Sequence, residues 1–165
     1  MKALVLTVFL ASTAHPLLAA QAESLCQAET AGNERLASFA KTLKQNETFR
    51  FISRRSKAVA CKVDSSTLLV DFKNGDKVVF DLNEVAPSTE ALLAKPLSRK
   101  RAFRAAQKAM VKDEGCNLRF LKPSETKADT SGGTIRTYWC KENSALSITT
   151  DSTEKATRFR TWMIH

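Results

Sequence analysis

Histidine is nearly missing from this 165-residue chain, which carries only His15 and His165. The commonest general base and the commonest metal ligand are therefore scarce. No two of the four cysteines, Cys26, Cys61, Cys116 and Cys140, lie close together in sequence. Zinc sites are usually assembled from close ligand pairs, so the spacing argues against a metal site, and no motif calls for a cofactor. Glycine (5) and proline (4) are also few. No glycine-rich phosphate cradle precedes a helix, and no calcium-binding alternation of carboxylates occurs. The apolar run Ala3 to Ala11 falls well short of the roughly 20 residues that span a bilayer, and no later stretch approaches that length.

What that run does resemble is an export leader. Lys2 precedes it, Pro16 follows it and breaks any helix, and Ala20-Gln21-Ala22 supplies the small-x-small pattern of a signal-peptidase site. Residues 1–22 therefore read as a signal peptide and residues 23–165 as one mature domain without a transmembrane segment, periplasmic or extracellular. Glu23-Ser24-Leu25 separate the cleavage point from Cys26, which argues against a lipoprotein. Cleavage removes Lys2 and His15, leaving 25 of the 26 lysines and arginines against 17 acids, a net charge of +8. In an exported chain the even set Cys26, Cys61, Cys116 and Cys140 reads as two disulfides with three possible connectivities.

The fold class expected is α+β, with antiparallel sheet packed against about three helices. Leu36, Phe39, Ala40 and Leu43 recur at helical spacing and predict a helix from Glu23 to Gln45. Four β-like runs follow: Thr48–Ser53, Ala58–Val63, Thr67–Phe72 and Lys77–Leu82. Asn74-Gly75 marks a hairpin between the last two. A two-residue loop would mix polar and apolar residues on both faces. A three-residue loop, with Gly75 left-handed, pairs Val70 with Val78 and Leu68 with Phe80 and yields one wholly apolar face. Ser88 suits an N-cap, so Pro87 to about Ala94 predicts a short helix, and Ser98 caps a second one running to Glu114. Strands are expected again at Cys116–Leu121, Thr134–Lys141, Ala145–Thr150 and Thr157–Ile164, with Lys122–Gly133 as an exposed loop. A hairpin symmetric about that loop sets Leu121 opposite Ile135 and Cys116 opposite Cys140. Cys26 is then left to pair with Cys61.

Both halves thus read as helix followed by strands, and short strings recur between them. Phe49-Arg50-Phe51 parallels Leu118-Arg119-Phe120, and Cys61-Lys62 parallels Cys140-Lys141, with Phe80 and Phe159 at equal distances downstream. A tandem repeat of a helix-plus-four-strand unit, residues 23–85 and 86–165, would account for this. Such tandem units with one disulfide each resemble the secreted β-lactamase inhibitory proteins; the likeness is one of layout and carries no motif from which an activity would follow.

Catalytic patterns are thin. Ser-x-x-Lys occurs at Ser38, Ser124 and Ser152, without the companion motifs that give it meaning in acyl transfer. Asp129-Thr130-Ser131-Gly132-Gly133 has the wrong order for an aspartic-protease turn and no second copy. The feature that breaks helix-stability rules is the segment Ser98–Glu114. Lys100, Arg104, Lys108 and Lys112 fall at successive i, i+4 positions, with Arg101 beside them. Arg99, Lys100 and Arg101 crowd the positive end of the helix dipole, and Asp113 and Glu114 its negative end. Arg54, Arg55, Lys57, Arg158 and Arg160 add to the positive field from positions that the sequence does not place.

The expected function is non-enzymatic binding, as an inhibitor, adaptor or envelope-associated protein. Its basic helix stripe of Lys100, Arg101, Arg104, Lys108 and Lys112 would face an acidic protein, an anionic envelope polymer or a lipid head group. Nucleic acid is disfavoured by location and by the absence of interleaved aromatics on that helix. The alternatives are an exported hydrolase or toxin using carboxylates gathered by the fold, and a structural envelope component. The oligomeric state is not legible.

Overall fold

The computed structural model describes residues 14–83, 85–114, 122–140 and 144–163. Helices α1 (Ala14–Glu29), α2 (Glu34–Ala40) and α3 (Glu47–Ser53) precede four strands, β1 (Ala58–Asp64), β2 (Thr67–Phe72), β3 (Lys77–Asp81) and β4 (Ser88–Ser98). Helix α4 (Arg99–Glu114) follows, then β5 (Glu125–Ala128), β6 (Thr134–Cys140), β7 (Ser144–Thr150) and β8 (Lys155–Met163). The strands form one antiparallel sheet in the order β1-β2-β3-β4-β8-β7-β6-β5. Two consecutive four-stranded meanders are thus joined edge to edge where β4 pairs with β8.

The α+β class is as expected, but the described residues hold four α-helices rather than about three. The predicted Glu23–Gln45 helix is broken into the end of α1, α2 and a 3-10 turn at Leu43–Gln45, the first break falling around Gly32. Asn33 takes an extended conformation there and its side chain caps α2 by accepting from the Leu36 N–H at 3.1 Å. The segment Thr48–Ser53, expected as a strand, lies in α3. Asn46 both ends the helical turn Leu43–Gln45, its N–H donating to the Leu43 carbonyl at 3.1 Å, and opens α3, its carboxamide oxygen accepting from the Phe49 N–H at 2.9 Å. Conversely, the short helix expected after Pro87 is the start of β4. Ladders on both sides, to β3 and to β8, outweigh the local capping signal of Ser88. Pro96 lacks the N–H that a central strand donates, and the β4–β8 register breaks between Leu92 and Leu97.

The hairpin around Gly75 has the register that burial demands. Leu68 pairs with Phe80, Val70 with Val78 and Asp71 with Lys77, and Gly75 sits at φ +84°. Asp76, fully buried, closes the turn by accepting from Asn74 Nδ2 at 2.8 Å and the Ala94 N–H at 2.9 Å. The Lys122–Gly133 segment is not wholly a loop: its residues 125–128 pair with β6 as the edge strand β5. That pairing sets Ile135 opposite Lys127 rather than Leu121, so the expected symmetric register does not hold. The predicted strand Cys116–Leu121 lies outside the described residues.

All helices pack on one face of the sheet. Leu68, Val70, Val78 and Phe80 of the first meander and Leu146, Ile148 and Phe159 of the second are fully buried there. Phe80 packs against Phe39 of α2 at 5.1 Å and Phe49 of α3 at 6.5 Å between ring centroids. Of the two expected disulfides, Cys26–Cys61 is formed, with Cα atoms 5.1 Å apart, and ties α1 to β1. Cys140 is also disulfide-bonded, and Cys116 lies outside the described residues. Helix α1 runs through the expected cleavage point, with Ala22 fully buried. Among the described residues no helix is long and apolar enough to cross a membrane.

Candidate functional site

The basic stripe is divided by the fold. Helix α4 buries Ala102, Ala106, Ala109 and Met110 and leaves Lys100, Arg101, Arg104, Lys108 and Lys112 exposed. Its C-terminal half crosses α3, where the Glu47 carboxylate is almost completely buried. Lys112 Nζ reaches Glu47 Oε1 at 2.6 Å, Lys108 Nζ reaches Oε2 at 3.4 Å, and Arg50 Nη1 donates to Oε1 at 2.5 Å. Burial pushes the Glu47 carboxyl up, but the Lys112 hydrogen bond and the charges of Arg50 and Lys108 outweigh it and hold its pKa below 4.5. Two of the five cations thus clamp α3 to α4. Lys100, Arg101 and Arg104 meet no carboxylate among the described residues, while Arg99 pairs with Glu154 at 3.1 Å.

Among the described residues no helix lies on the sheet's other face. Side chains alternate across a strand, so Phe159 points to the core while Arg158, Arg160 and Trp162 point away from it. In β6, Tyr138 is buried against Phe103 of α4 at 5.0 Å, and its neighbour Trp139 is 38% exposed on the open side. Trp139 and Trp162, the chain's only two tryptophans, meet edge to face at 6.0 Å. Sequence reading missed this pair. The available signal was Arg158-Phe159-Arg160-Thr161-Trp162, whose period-two alternation sets one buried phenylalanine against two arginines and a tryptophan on the opposite face.

The two arginines differ in how they are held. Arg158 Nε donates to Thr149 Oγ1 at 3.3 Å and lies 3.5 Å from Glu90 Oε1, and its Nη2 lies 3.9 Å from Asp129 Oδ1. Arg160 stands directly opposite Glu90 in the β4–β8 register, but that carboxylate goes to Arg158. Among the described residues Arg160 has only the Ser88 hydroxyl, which accepts from Nη2 at 3.0 Å, and the Trp162 ring, 5.8 Å from its guanidinium carbon. Its Nε is covered from solvent and has no acceptor. Beside it opens a cavity of about 390 Å³ lined by Ile135, Thr137, Trp162, Glu125 and Lys127 among others. Glu125 and Lys127 neutralise each other at 2.7 Å.

Among the described residues the displaced carboxyls are all displaced downward. Besides Glu47, they are Asp129 through the Ser131 hydroxyl, Asp151 through Thr153, and Glu154 through the hydrogen bond from Arg136. A general acid needs the opposite displacement. Among the described residues no cluster of three histidine, cysteine or acidic side chains could hold a metal ion.

No family model, curated protein or solved structure is detectably similar to this chain. The expected resemblance to β-lactamase inhibitory proteins thus has no support among solved structures.

Proposed function

We propose that this chain is an exported, non-catalytic binding protein whose recognition surface is the helix-free side of the sheet at β6–β8, turned toward an acidic protein partner. A disulfide fits an oxidising compartment, as does the leader-like segment of residues 1–22. The observation that carries the reading is the Trp139–Trp162 pair on a sheet face that no helix among the described residues covers. Tryptophan and arginine are the residue types that dominate binding energy at protein interfaces, and Arg160 adds positive charge beside the pair. Because both tryptophans lie here, intrinsic fluorescence reports on this surface alone. Partner capture from a native extract, repeated with the purified partner, should shield both from acrylamide quenching. A W139A/W162A double variant should lose the partner. Capture that survives the double substitution would remove this face from the account.

A second reading rests on Lys100, Arg101 and Arg104, which stay exposed on the helical side and meet no carboxylate among the described residues. They would form a separate, salt-sensitive contact with an anionic protein or envelope polymer. Replacing all three with glutamine should abolish salt-eluted capture if that contact exists, and leave tryptophan shielding unchanged.

A further inference from the structure

We propose that Arg160 anchors a carboxylate subsite on this face, taking an acidic side chain of the partner protein whose apolar neighbour rests on Trp162 and Ile135. The inference deepens the sheet-face reading and rests on it.

Its ground is the contrast between two arginines two residues apart on one strand. Arg158 has two carboxylates and a threonine hydroxyl within reach. Arg160 has no carboxylate among the described residues, a single hydroxyl acceptor, and an Nε left without one. Covered guanidinium donors without acceptors are unusual in a native fold, and a carboxylate matches the planar fork of arginine in two parallel hydrogen bonds. The cavity beside Arg160 is walled by Ile135 and Trp162 and offers the Thr137 hydroxyl as a further donor. Glu125, the one acid lining it, is engaged by Lys127, so the lining keeps one positive charge in excess. A partner's side chain suits the place better than a small free acid. The apolar surface continues past the cavity onto the exposed Trp139, which a small acid would leave uncovered.

Tryptophan fluorescence of the disulfide-intact protein provides the test, titrated with the acetylated, amidated tripeptide leucyl-glutamyl-leucine. The emission should change saturably. The glutamine analogue should bind at least about tenfold more weakly, and Arg160→Gln should lower affinity for the acidic peptide by a similar factor. Arg160→Lys keeps the charge but loses the fork, and should fall between. Lys62→Gln, at the far end of the same face, should change nothing. Near-ultraviolet circular dichroism verifies that each variant is folded. Equal binding of the two peptides, or an Arg160→Gln variant that binds as the wild type does, would overturn the subsite. Acetate or benzoate binding as tightly as the peptide would overturn the protein side chain as its occupant. If Arg160→Gln still holds the natural partner with both tryptophans shielded, the subsite fails and the sheet-face reading stands. If the partner leaves the tryptophans unshielded in the wild type, both fail.

Discussion

The same edge-to-face ring contact occurs on both sides of the sheet and has opposite consequences. On the covered side, Phe103 and Tyr138, 5.0 Å apart, tie α4 to β6 inside the core. On the open side, Trp139 and Trp162, 6.0 Å apart, join β6 to β8 and bring in no helix. Charge follows the same division. Glu47, on the helical side, is buried and held by three cations, whereas Arg160, on the open side, is held by none of the described carboxylates. A fold selected only for stability would place its largest aromatics in the core and pair its half-buried arginines. The open side breaks both habits, as a binding surface does.

Substitutions can sharpen or break that contrast. The largest effect is expected from Phe80→Ala on the covered side, about 4 kcal/mol by urea denaturation, because the ring sits between Phe39 and Phe49 with no solvent access. Next is Glu47→Gln, about 2 kcal/mol at neutral pH, since it leaves Arg50, Lys108 and Lys112 facing a neutral amide. The folded-state pKa of Glu47 is depressed, so its contribution is full above 4.5 and is lost as pH falls through the lower folded value. Denaturation across that range should show the wild-type and Glu47→Gln curves converging in acid; a constant gap would deny the carboxylate its role. Trp139→Ala should cost under about 1 kcal/mol despite removing the largest side chain type, because the ring is already partly in water. Smallest of all, Arg160→Gln should stay within about 0.5 kcal/mol, since it removes a covered donor that has no acceptor. A loss of several kcal/mol at either Trp139 or Arg160 would make the open side structural and erase the contrast.

Elements with strong local signals were legible beforehand. The Gly75 hairpin followed because only one register placed Leu68, Val70, Val78 and Phe80 on one face. Helix α4 followed from its apolar spacing, and β6, β7 and β8 lie within a residue or two of their predicted bounds. What failed was local evidence that tertiary pairing overrode. Phe49, Phe51 and Ile52 look strand-like, yet an Asn46 cap turns them into a helix that packs on the sheet. Ser88 looks like a cap, yet it lies in a strand bonded on both sides. The candidate site was half legible. The stripe of α4 was visible, but that Lys108 and Lys112 serve Glu47 depends on two helices crossing, 61 and 65 residues apart in the chain for each pair.

The sequence by itself determined the Gly75 turn, the helix α4 and the two-sided character of the strands it read, because these depend on neighbours within a few residues. Period-two alternation separates two faces but does not say which one a helix will cover. That choice belongs to the β4–β8 pairing and to the packing of α1–α4 on a single side, both long-range events. Only after that choice do Trp139, Trp162 and Arg160 become a surface rather than a core.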